Sequence, residues 1–230
     1  MNFAEWDPFY RAILDDFGYP RSADEKSRDL LKDLLEDWFE PSCIEVSNQT
    51  VAIAGGSQTL MNDFHIVQSA DVIFAAGGAT EILRDQGYSI DVMVTDLDTN
   101  PMTAKTLTLA NTPVVVHAHG DNREIIRSYL PTFDHSYILP TTQAKPLQPI
   151  QNFGGFTDGD RAAFLADAMD ADTLIFPGWE FDDPSLSSEK RRKLDWAERL
   201  LYYLERKRGE SFPILDGRRS EITLPRNVHS

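Results

Sequence analysis

The sequence is poor in cysteine and has no long hydrophobic runs. Its one cysteine, Cys43, excludes an internal disulfide framework and a metal site made only of cysteines. We find no stretch of about 18 apolar residues, which is what a transmembrane helix requires. The first residues, MNFAEWDPFY, lack a signal-peptide pattern. These absences predict a soluble, cytoplasmic protein.

Positive charge is also scarce. Lysine and arginine number 22 against 37 aspartates and glutamates, so the formal net charge is −15. Duplex nucleic acid and anionic membranes both require a basic surface, so neither is expected as a partner. A small anionic ligand held in a local basic pocket remains compatible with this charge. The hydrophobic fraction of 41% is large enough for a sizeable core and argues against disorder.

Six short apolar runs alternate with helical segments from Thr50 onward. The runs are VAIAGG, DVIFAAGG, DVMVTD, VVVHAHGD, SYILPTT and TLIFPGW. Because they are apolar on both faces, they are typical of buried parallel strands covered by helices. The sequence therefore predicts an α/β protein with a Rossmann-like, mostly parallel sheet flanked by helices.

Helical patterns lie on both sides of this region. Apolar residues recur every three or four positions from Trp6 to Phe17, and a second helix is predicted from Ser22 toward Pro41, with Glu25 completing a capping box. A last helix is predicted over residues 189–208, followed by a tail that adds a short strand. We expect a helical N-terminal extension over 1–48 and an α/β catalytic domain with the C-terminal helix and tail over 49–230. Apolar residues of the extension would cover the sheet or form a homodimer interface.

Polar residues and glycines follow the predicted strands. In open α/β sheets ligands bind at the carboxyl ends of the strands, so these residues are candidates for a common site. They are Gly55, Gly56, Ser57, Gly77, Gly78, Asp96, Asp98, His117, His119, Asp121, Asn122, Thr142 and Gln143.

Two aspartates follow the third run in the stretch VMVTDLDTN. Residues two apart on a strand share one face, so Asp96 and Asp98 would lie on the same side if the extended conformation reaches Asp98. At about 5 Å their repulsion is roughly 3 kcal/mol, which a bound cation would offset. Oxygen ligands of this kind suit Mg²⁺. The alternative is that one aspartate caps a helix and the other sits in a turn.

The paired glycines and the histidines have open interpretations. Gly55-Gly56 and Gly77-Gly78 are either tight turns or phosphate-binding backbone at helix N-termini. Neither GxxxxGK[ST] nor GxGxxG occurs, which excludes a P-loop and gives no dinucleotide fingerprint. The two histidines would share a strand face as ligands or as satisfied buried side chains.

Two further groups of charged residues are candidates for phosphate contacts. Arg123 and Arg127 are four apart on a predicted helix, where they are either solvated or clamp phosphates. The stretch NFGGFTDGDRAAFLADAMDAD places Asp158, Asp160 and Arg161 near a helix N-terminus. Acidic residues there also favour the helix dipole without any ligand.

Four segments together resemble a known family. VTDLDT, VVVHAHGDN, TTQ and GGFTDGDRAAFLA, in this order, resemble the archaeal 6-hydroxymethyl-7,8-dihydropterin pyrophosphokinases over residues 50–180. That family is distantly related to the thiamine pyrophosphokinases, whose acidic turn corresponds to residues 95–99 here. The preceding FAAGGAT resembles their ADGGA turn, but Ala76 replaces the aspartate, so no ligand is expected at that position.

The resemblance implies transfer of diphosphate from ATP to the hydroxymethyl group of a reduced pterin, with release of AMP, in methanopterin or folate synthesis. It implies Mg²⁺ held by Asp96 and Asp98, with Asp121 as a third ligand. Catalytic roles would fall to Asp96, Asp98, Asp160 and Arg161. Phosphate contacts are expected from Gly55, Gly56, Ser57, Gly77, Gly78, Asn122 and Arg123. Pterin contacts are expected from Thr142, Gln143, Asn152, Phe153, Phe156 and Asp158.

Two other functions remain open from the sequence. A thiamine pyrophosphokinase would use the same metal chemistry, but residues 181–230 are too few and too helical for the all-β domain that usually follows in that family. A nucleotide or nucleotide-sugar binding protein, as in glycosylation-linked relatives, would bind nucleotide without releasing AMP.

Overall fold

The central sheet contains all six predicted strands. The structure is a computed structural model and describes residues 1–225. The strands are β1 (Thr50–Ala54), β2 (Val72–Ala76), β3 (Val92–Thr95), β4 (Val114–Ala118), β5 (Ile138–Thr142) and β6 (Thr173–Ile175). Every pair is parallel, in the order β5-β4-β3-β2-β1-β6. The predicted α/β class with a parallel sheet is confirmed.

Within residues 1–225, eight α-helices surround the sheet. They are α1 (Phe3–Phe17), α2 (Arg21–Leu34), α3 (Phe64–Val67), α4 (Gly77–Asp85), α5 (Pro101–Leu109), α6 (Arg123–Tyr129), α7 (Asp158–Ala168) and α8 (Ser188–Arg208). Helices α3 to α6 each connect two strands that are neighbours in the sheet. Helix α7 connects β5 to β6, which lie at opposite edges. The direction of strand addition therefore reverses beside β1, and such a reversal opens a crevice at the carboxyl ends of the strands.

The two faces of the sheet bury separate hydrophobic clusters. One cluster joins α1, α7 and α8 to the sheet through residues such as Phe9, Phe164 and Leu200. The other joins α2 to α6 to the opposite face through residues such as Leu31 and Leu83. Alternate residues along β3 serve the two clusters, as expected for a strand that is buried on both faces.

The N-terminal helix α1 is an integral part of the first cluster. It begins with a capping box between Asn2 and Glu5 and ends at Gly18, which adopts a left-handed conformation. Trp6 is fully buried, and its indole Nε1 donates a hydrogen bond of 2.8 Å to the backbone carbonyl of Gln143 beyond β5. The helix thus contacts the chain immediately after the sheet edge.

Two predictions about the flanking segments are wrong. Helix α2 begins at Arg21 after Pro20 without a side-chain cap, so Ser22 and Glu25 form no capping box. It ends at Leu34, and Trp38 beyond it is 40% exposed. Pro20 has the extended backbone conformation of a residue that precedes a helix, but its side chain provides no cap hydrogen bond.

The C-terminal helix is confirmed, since α8 spans Ser188–Arg208. Over residues 211–225 the tail contains a short 3-10 segment, Pro213–Leu215, and no strand. Residues 226–230 of the predicted tail lie outside the described part. The division of the chain at residue 48 stays a prediction. Within the described residues, no helix combines the length and apolar character needed to cross a membrane.

Replacement of Trp6 by alanine should lower the free energy of unfolding by about 3–5 kcal/mol, because it removes a fully buried aromatic side chain and leaves a cavity. Trp38→Ala is the matched control, with an expected loss below about 1 kcal/mol at an exposed site. Chemical denaturation of both variants measures the difference. A loss for Trp6→Ala no larger than the control would contradict the packing of α1 on the sheet.

Candidate active site

A cavity of about 560 Å³ lies at the carboxyl edge of the sheet. Residues that follow every one of the six strands contribute to its wall. They include Gly55, Gly56 and Ser57 after β1, Gly78 after β2, Asp96 and Asp98 after β3, His119 and Asp121 after β4, Gln143 after β5, and Trp179 after β6, together with Ala76, the last residue of β2. The α1–α2 turn, the start of α7 and the start of α8 complete the wall. Its volume lies in the range of small-molecule sites.

The two aspartates after β3 are brought together by a tight turn. The strand ends at Thr95, and Leu97 is buried with a left-handed φ of 69°. The extended conformation therefore does not reach Asp98, so the condition for two carboxylates on one strand face is not met. Instead, the backbone N–H of Asp98 donates to Asp96 Oδ1 at 3.2 Å, and that of Leu97 donates to the Thr95 hydroxyl at 2.9 Å. Both carboxylates line the cavity.

Asn122 holds this turn against the end of β4. Its side-chain Nδ2 donates to the backbone carbonyls of Asp96 at 2.8 Å and His117 at 2.6 Å, and its Oδ1 accepts from the N–H of His119 at 3.0 Å. Asn122 is buried and does not line the cavity. The structure thus gives Asn122 a positioning role in place of the predicted contact with phosphate, because all its polar atoms are used by backbone.

His119 contacts the Asp96 carboxylate directly. Its Nε2 lies 3.1 Å from Asp96 Oδ2. Burial by itself raises the pKa of Asp96, but the hydrogen bond and charge of His119, with Arg161 and the Asp98 contact, lower it below its usual range. Burial and the neighbouring Asp96 raise the pKa of Asp98. The pKa values of the two carboxyl groups are therefore shifted in opposite directions.

Asp160 has a structural role. It completes a capping box with Thr157 at the start of α7, where its carboxylate accepts hydrogen bonds from the backbone N–H groups of Phe156 at 2.6 Å and Thr157 at 2.8 Å, and from the Thr157 hydroxyl. Its side chain is fully buried and does not line the cavity. These contacts occupy both carboxylate oxygens, so the predicted catalytic role does not fit the geometry.

Asp158 and Arg161 do line the cavity. They form an ion pair of 3.2 Å between Arg161 Nη1 and Asp158 Oδ1. Burial, followed by repulsion from Asp96, raises the pKa of Asp158 to about 8, although Arg161 opposes the shift. A carboxyl group with such a pKa exchanges a proton near neutral pH.

The paired glycines permit close approach of backbones. A Cβ added to Gly55 would lie 2.5 Å from the carbonyl oxygen of Gly178, and one on Gly56 would lie 3.2 Å from the backbone of Gly78. The turns after β1, β2 and β6 therefore pack directly on each other. Gly77 is the first residue of α4, but it does not line the cavity. At Gly55, close backbone packing explains why the residue is glycine. Contacts between these glycines and phosphate stay a prediction.

Four other predicted contact residues lie away from the cavity wall. Thr142 donates its hydroxyl to the carbonyl of Ala118 at 3.0 Å, which ties β5 to β4. Asn152 Nδ2 donates to the carbonyls of Gln143 and Ala144, and its Oδ1 accepts from the N–H of Gly154. Neither these two residues nor Arg123 line the cavity, and Phe153 lies outside it too. Of the predicted pterin contacts, Gln143, Phe156 and Asp158 do line it.

Sequence reasoning missed part of the wall. Lys190 and Lys193 of α8 lie there, as do Tyr19, Asp24 and Trp179. Asp24 is buried and accepts hydrogen bonds from the Tyr10 hydroxyl at 2.5 Å, the Gly120 N–H at 2.7 Å and Gln143 Nε2 at 2.9 Å. The available signal in the sequence was an aspartate on the face of an amphipathic helix that is expected to be buried. The lysines carried none, because only the tertiary structure brings α8 to the sheet edge.

A metal held by protein alone would require more ligands than the site offers. Within residues 1–225, no group of three or more histidine, cysteine, aspartate or glutamate side chains is arranged to hold an ion. Asp96 and Asp98 supply oxygen donors, and Asp121 also lines the cavity. Mg²⁺ is commonly bound by one or two carboxylates plus waters and substrate phosphates, so this donor set fits it.

A protein-family model described as "6-hydroxymethylpterin diphosphokinase MptE-like" matches residues 25–185, which is most of the chain. The chain belongs to this family. The resemblance drawn from the four sequence segments is thereby confirmed. The matched range contains all six strands and the cavity residues from Gly55 to Ser185.

Three curated relatives carry the name 6-hydroxymethyl-7,8-dihydropterin pyrophosphokinase. The relative from Methanothermobacter thermautotrophicus is 36% identical over 90% of this chain and 96% of its own. The one from Pyrococcus furiosus is 33% identical over 89% and 95%. The one from Methanocaldococcus jannaschii is 30% identical over 90% and 97%. The similarity extends along nearly the whole length of these family members.

Asp158→Asn should stabilise the metal-free protein in a pH-dependent way. The unfolded carboxyl loses its proton near its ordinary pKa of 3.8, while the folded one keeps it up to about pH 8. The wild type therefore loses stability relative to the variant as the pH rises from about 4 to 8, and the difference is constant above that. We expect a gain in melting temperature on the order of 5–10 °C at pH 9 and little gain near pH 4.

Thermal melts at each pH, in the presence of a chelator, measure this difference. Asp85→Asn, at an exposed position in the last turn of α4, is the control and should track the wild type throughout. A variant that is less stable than the wild type at pH 9 would contradict the raised pKa of Asp158.

Proposed function

We propose that this protein is a 6-hydroxymethyl-7,8-dihydropterin pyrophosphokinase, which transfers the β,γ-diphosphate of ATP to the pterin hydroxymethyl group and releases AMP. The observation that carries the proposal is the shared name of three relatives that align with about nine-tenths of the chain. The cavity supports it, because one carboxylate pair, a third acidic group and several cations converge there.

Asp96 and Asp98 would hold Mg²⁺, with Asp121 in reach of the same cavity. When bound, the ion would neutralise phosphate charge and relieve the repulsion between the two carboxylates. The His119 contact keeps Asp96 ionised and oriented. The turn at Leu97 holds the two carboxylates together before any ligand arrives, which lowers the entropic cost of binding.

Arg161 and Lys190 would bind the phosphates. Both line the cavity, and the charge of Lys190 acts on Asp98 and Asp158. Diphosphate transfer depends on positioning the two substrates and on neutralising the charge of the phosphate oxygens. The protein itself forms no covalent bond, because the attacking oxygen displaces the leaving oxygen directly. The net charge of −15 makes these local cations important for holding an anionic nucleotide. Backbone N–H groups at Gly55, Gly56 and Gly78 would add donors.

Asp158 would accept the proton of the attacking hydroxymethyl group. The sequence placed Asp160 among the catalytic residues and Asp158 among the pterin contacts, and the capping contacts of Asp160 leave Asp158 as the candidate base. A pKa of about 8 makes the ionised form an adequate base at neutral to mildly alkaline pH. Its ion pair with Arg161 places the proton acceptor beside a phosphate-binding group.

The pterin would bind between the α1–α2 turn and α7. Phe156 and Tyr19 offer ring surfaces, and Gln143 offers an amide. Because Gln143 Nε2 donates to Asp24, the Gln143 Oε1 is oriented as an acceptor, and within residues 1–225 it has no partner. That oxygen is inaccessible to solvent in this structure, so it would accept from the N–H groups of a pterin ring only after the side chain turned toward the cavity.

Product analysis tests the proposed function directly. Purified protein with ATP, Mg²⁺ and 6-hydroxymethyl-7,8-dihydropterin should release AMP, and a parallel reaction with thiamine should not. Release of AMP with thiamine but not with the pterin would support diphosphate transfer and would identify thiamine as the acceptor. Nucleotide binding without AMP release would favour the glycosylation-linked binding protein and overturn the proposal.

Asp98→Asn should lower kcat by about two orders of magnitude or more without destabilising the metal-free protein, because it removes a metal ligand and one of two repelling charges. AMP formation and thermal melts measure the two effects. Asp85→Asn serves again as the matched exposed control and should keep wild-type turnover. Near-normal activity of Asp98→Asn at saturating Mg²⁺ would rule out Asp98 as a ligand.

A further inference from the structure

A second, much smaller cavity lies between β4, β5 and α7. Its volume is about 10 Å³, and its wall includes His117, Thr141, Thr142, Phe153 and Arg161. Arg161 also lines the large cavity. This one side chain therefore separates the proposed phosphate site from an enclosed space behind it.

Two polar atoms at this cavity lack a protein partner. They are Nε2 of His117 and Nε of Arg161, both inaccessible to solvent and without a hydrogen bond within residues 1–225. His117 is 2% exposed and Arg161 is 7% exposed. A buried polar group without a partner destabilises the folded state, and more so when it is charged. Two such groups around one cavity require a common explanation.

The two atoms have opposite hydrogen-bonding polarity. The Thr141 hydroxyl donates to the carbonyl of Val116 at 3.4 Å and lies 3.0 Å from His117 Nδ1, so it accepts from an Nδ1–H. Nε2 of the neutral ring is then an acceptor, whereas Nε–H of an arginine is always a donor. Burial, with the nearby charge of Arg161, lowers the pKa of His117 well below its ordinary value, consistent with a neutral ring.

The volume of this cavity matches one water molecule. A polar cavity of about 10–15 Å³ accommodates a single water when two or more partners are available. We infer that one ordered water occupies this cavity, accepts a hydrogen bond from Arg161 Nε and donates one to His117 Nε2. The water thereby links β4 to the first turn of α7 behind the phosphate site.

His117 is then a positioning residue for Arg161. The Asp158 carboxylate holds Nη1 of the guanidinium from one side, and the water would hold Nε from the other. Two fixed contacts restrict the orientation of the guanidinium plane. A guanidinium held in this way loses less conformational entropy when it binds phosphate. This functional consequence rests on the proposed function, whereas the water site itself does not.

The structural test needs no activity. A high-resolution crystal structure of the full chain should show one water within hydrogen-bond distance of His117 Nε2 and Arg161 Nε. Nitrogen-15 NMR of labelled protein should show His117 neutral with its proton on Nδ1. A direct contact between the two side chains, a dry cavity or the opposite tautomer would overturn the inference.

The functional test uses a matched pair of variants. His117→Gln keeps an acceptor near the Nε2 position, while His117→Met has a similar size without one, and both lose the contact with Thr141. We expect kcat/KM for AMP formation to fall about tenfold in the Met variant and about twofold in the Gln variant. Thermal melts identify any general loss of folding. Equal losses of kcat/KM in the two variants would show that the acceptor does not position Arg161.

If the wild type releases no AMP, the proposed function has failed, and the crystallographic and NMR results still decide the water site. If the wild type is active and the Met variant matches it, the positioning role has failed while the proposed function stands.

Discussion

The side-chain amide of Asn122 joins the carboxyl ends of two neighbouring strands. It bonds the carbonyl of Asp96 after β3 and both the carbonyl of His117 and the N–H of His119 around the end of β4. Without these bonds, three buried backbone groups would need other partners. The turn that carries Asp96 and Asp98 and the loop that carries His119 are thereby held in one arrangement. The His119–Asp96 contact depends on that arrangement, and so does the acidic wall of the cavity.

Electrostatic balance around this turn determines what the cavity can bind. Three carboxylates, Asp96, Asp98 and Asp158, face a small number of cations, chiefly Arg161 and Lys190. Burial and the repulsion from Asp96 raise the pKa values of Asp98 and Asp158. A divalent cation with a polyphosphate would satisfy both signs of charge at once. In the proposed function, the site would therefore bind a metal–nucleotide complex in preference to a free anion or a free metal.

Secondary structure and the general location of the site were predictable from local patterns. All six strands were expected because each is a short run that is apolar on both faces, and such runs form buried parallel sheets. The convergence of polar residues followed, since parallel strands end at one edge. Roles of individual residues were less predictable. Asp160 and Asn122 looked like ligand-binding residues, but both satisfy backbone groups, which is a common use of aspartate and asparagine beside helices and turns.

By itself, the sequence determined the α/β class, the six strands, the flanking helices and many of the residues from which a site would form. These properties follow from periodicity and from short-range turn chemistry, which a single chain displays directly. Only the tertiary structure decided which of those residues face the cavity. It brought Lys190 from a helix after β6 and Asp24 from a helix before β1 to the same wall. The physical reason is that contacts between distant segments depend on strand order and on the face each helix covers, and neither is encoded in local spacing.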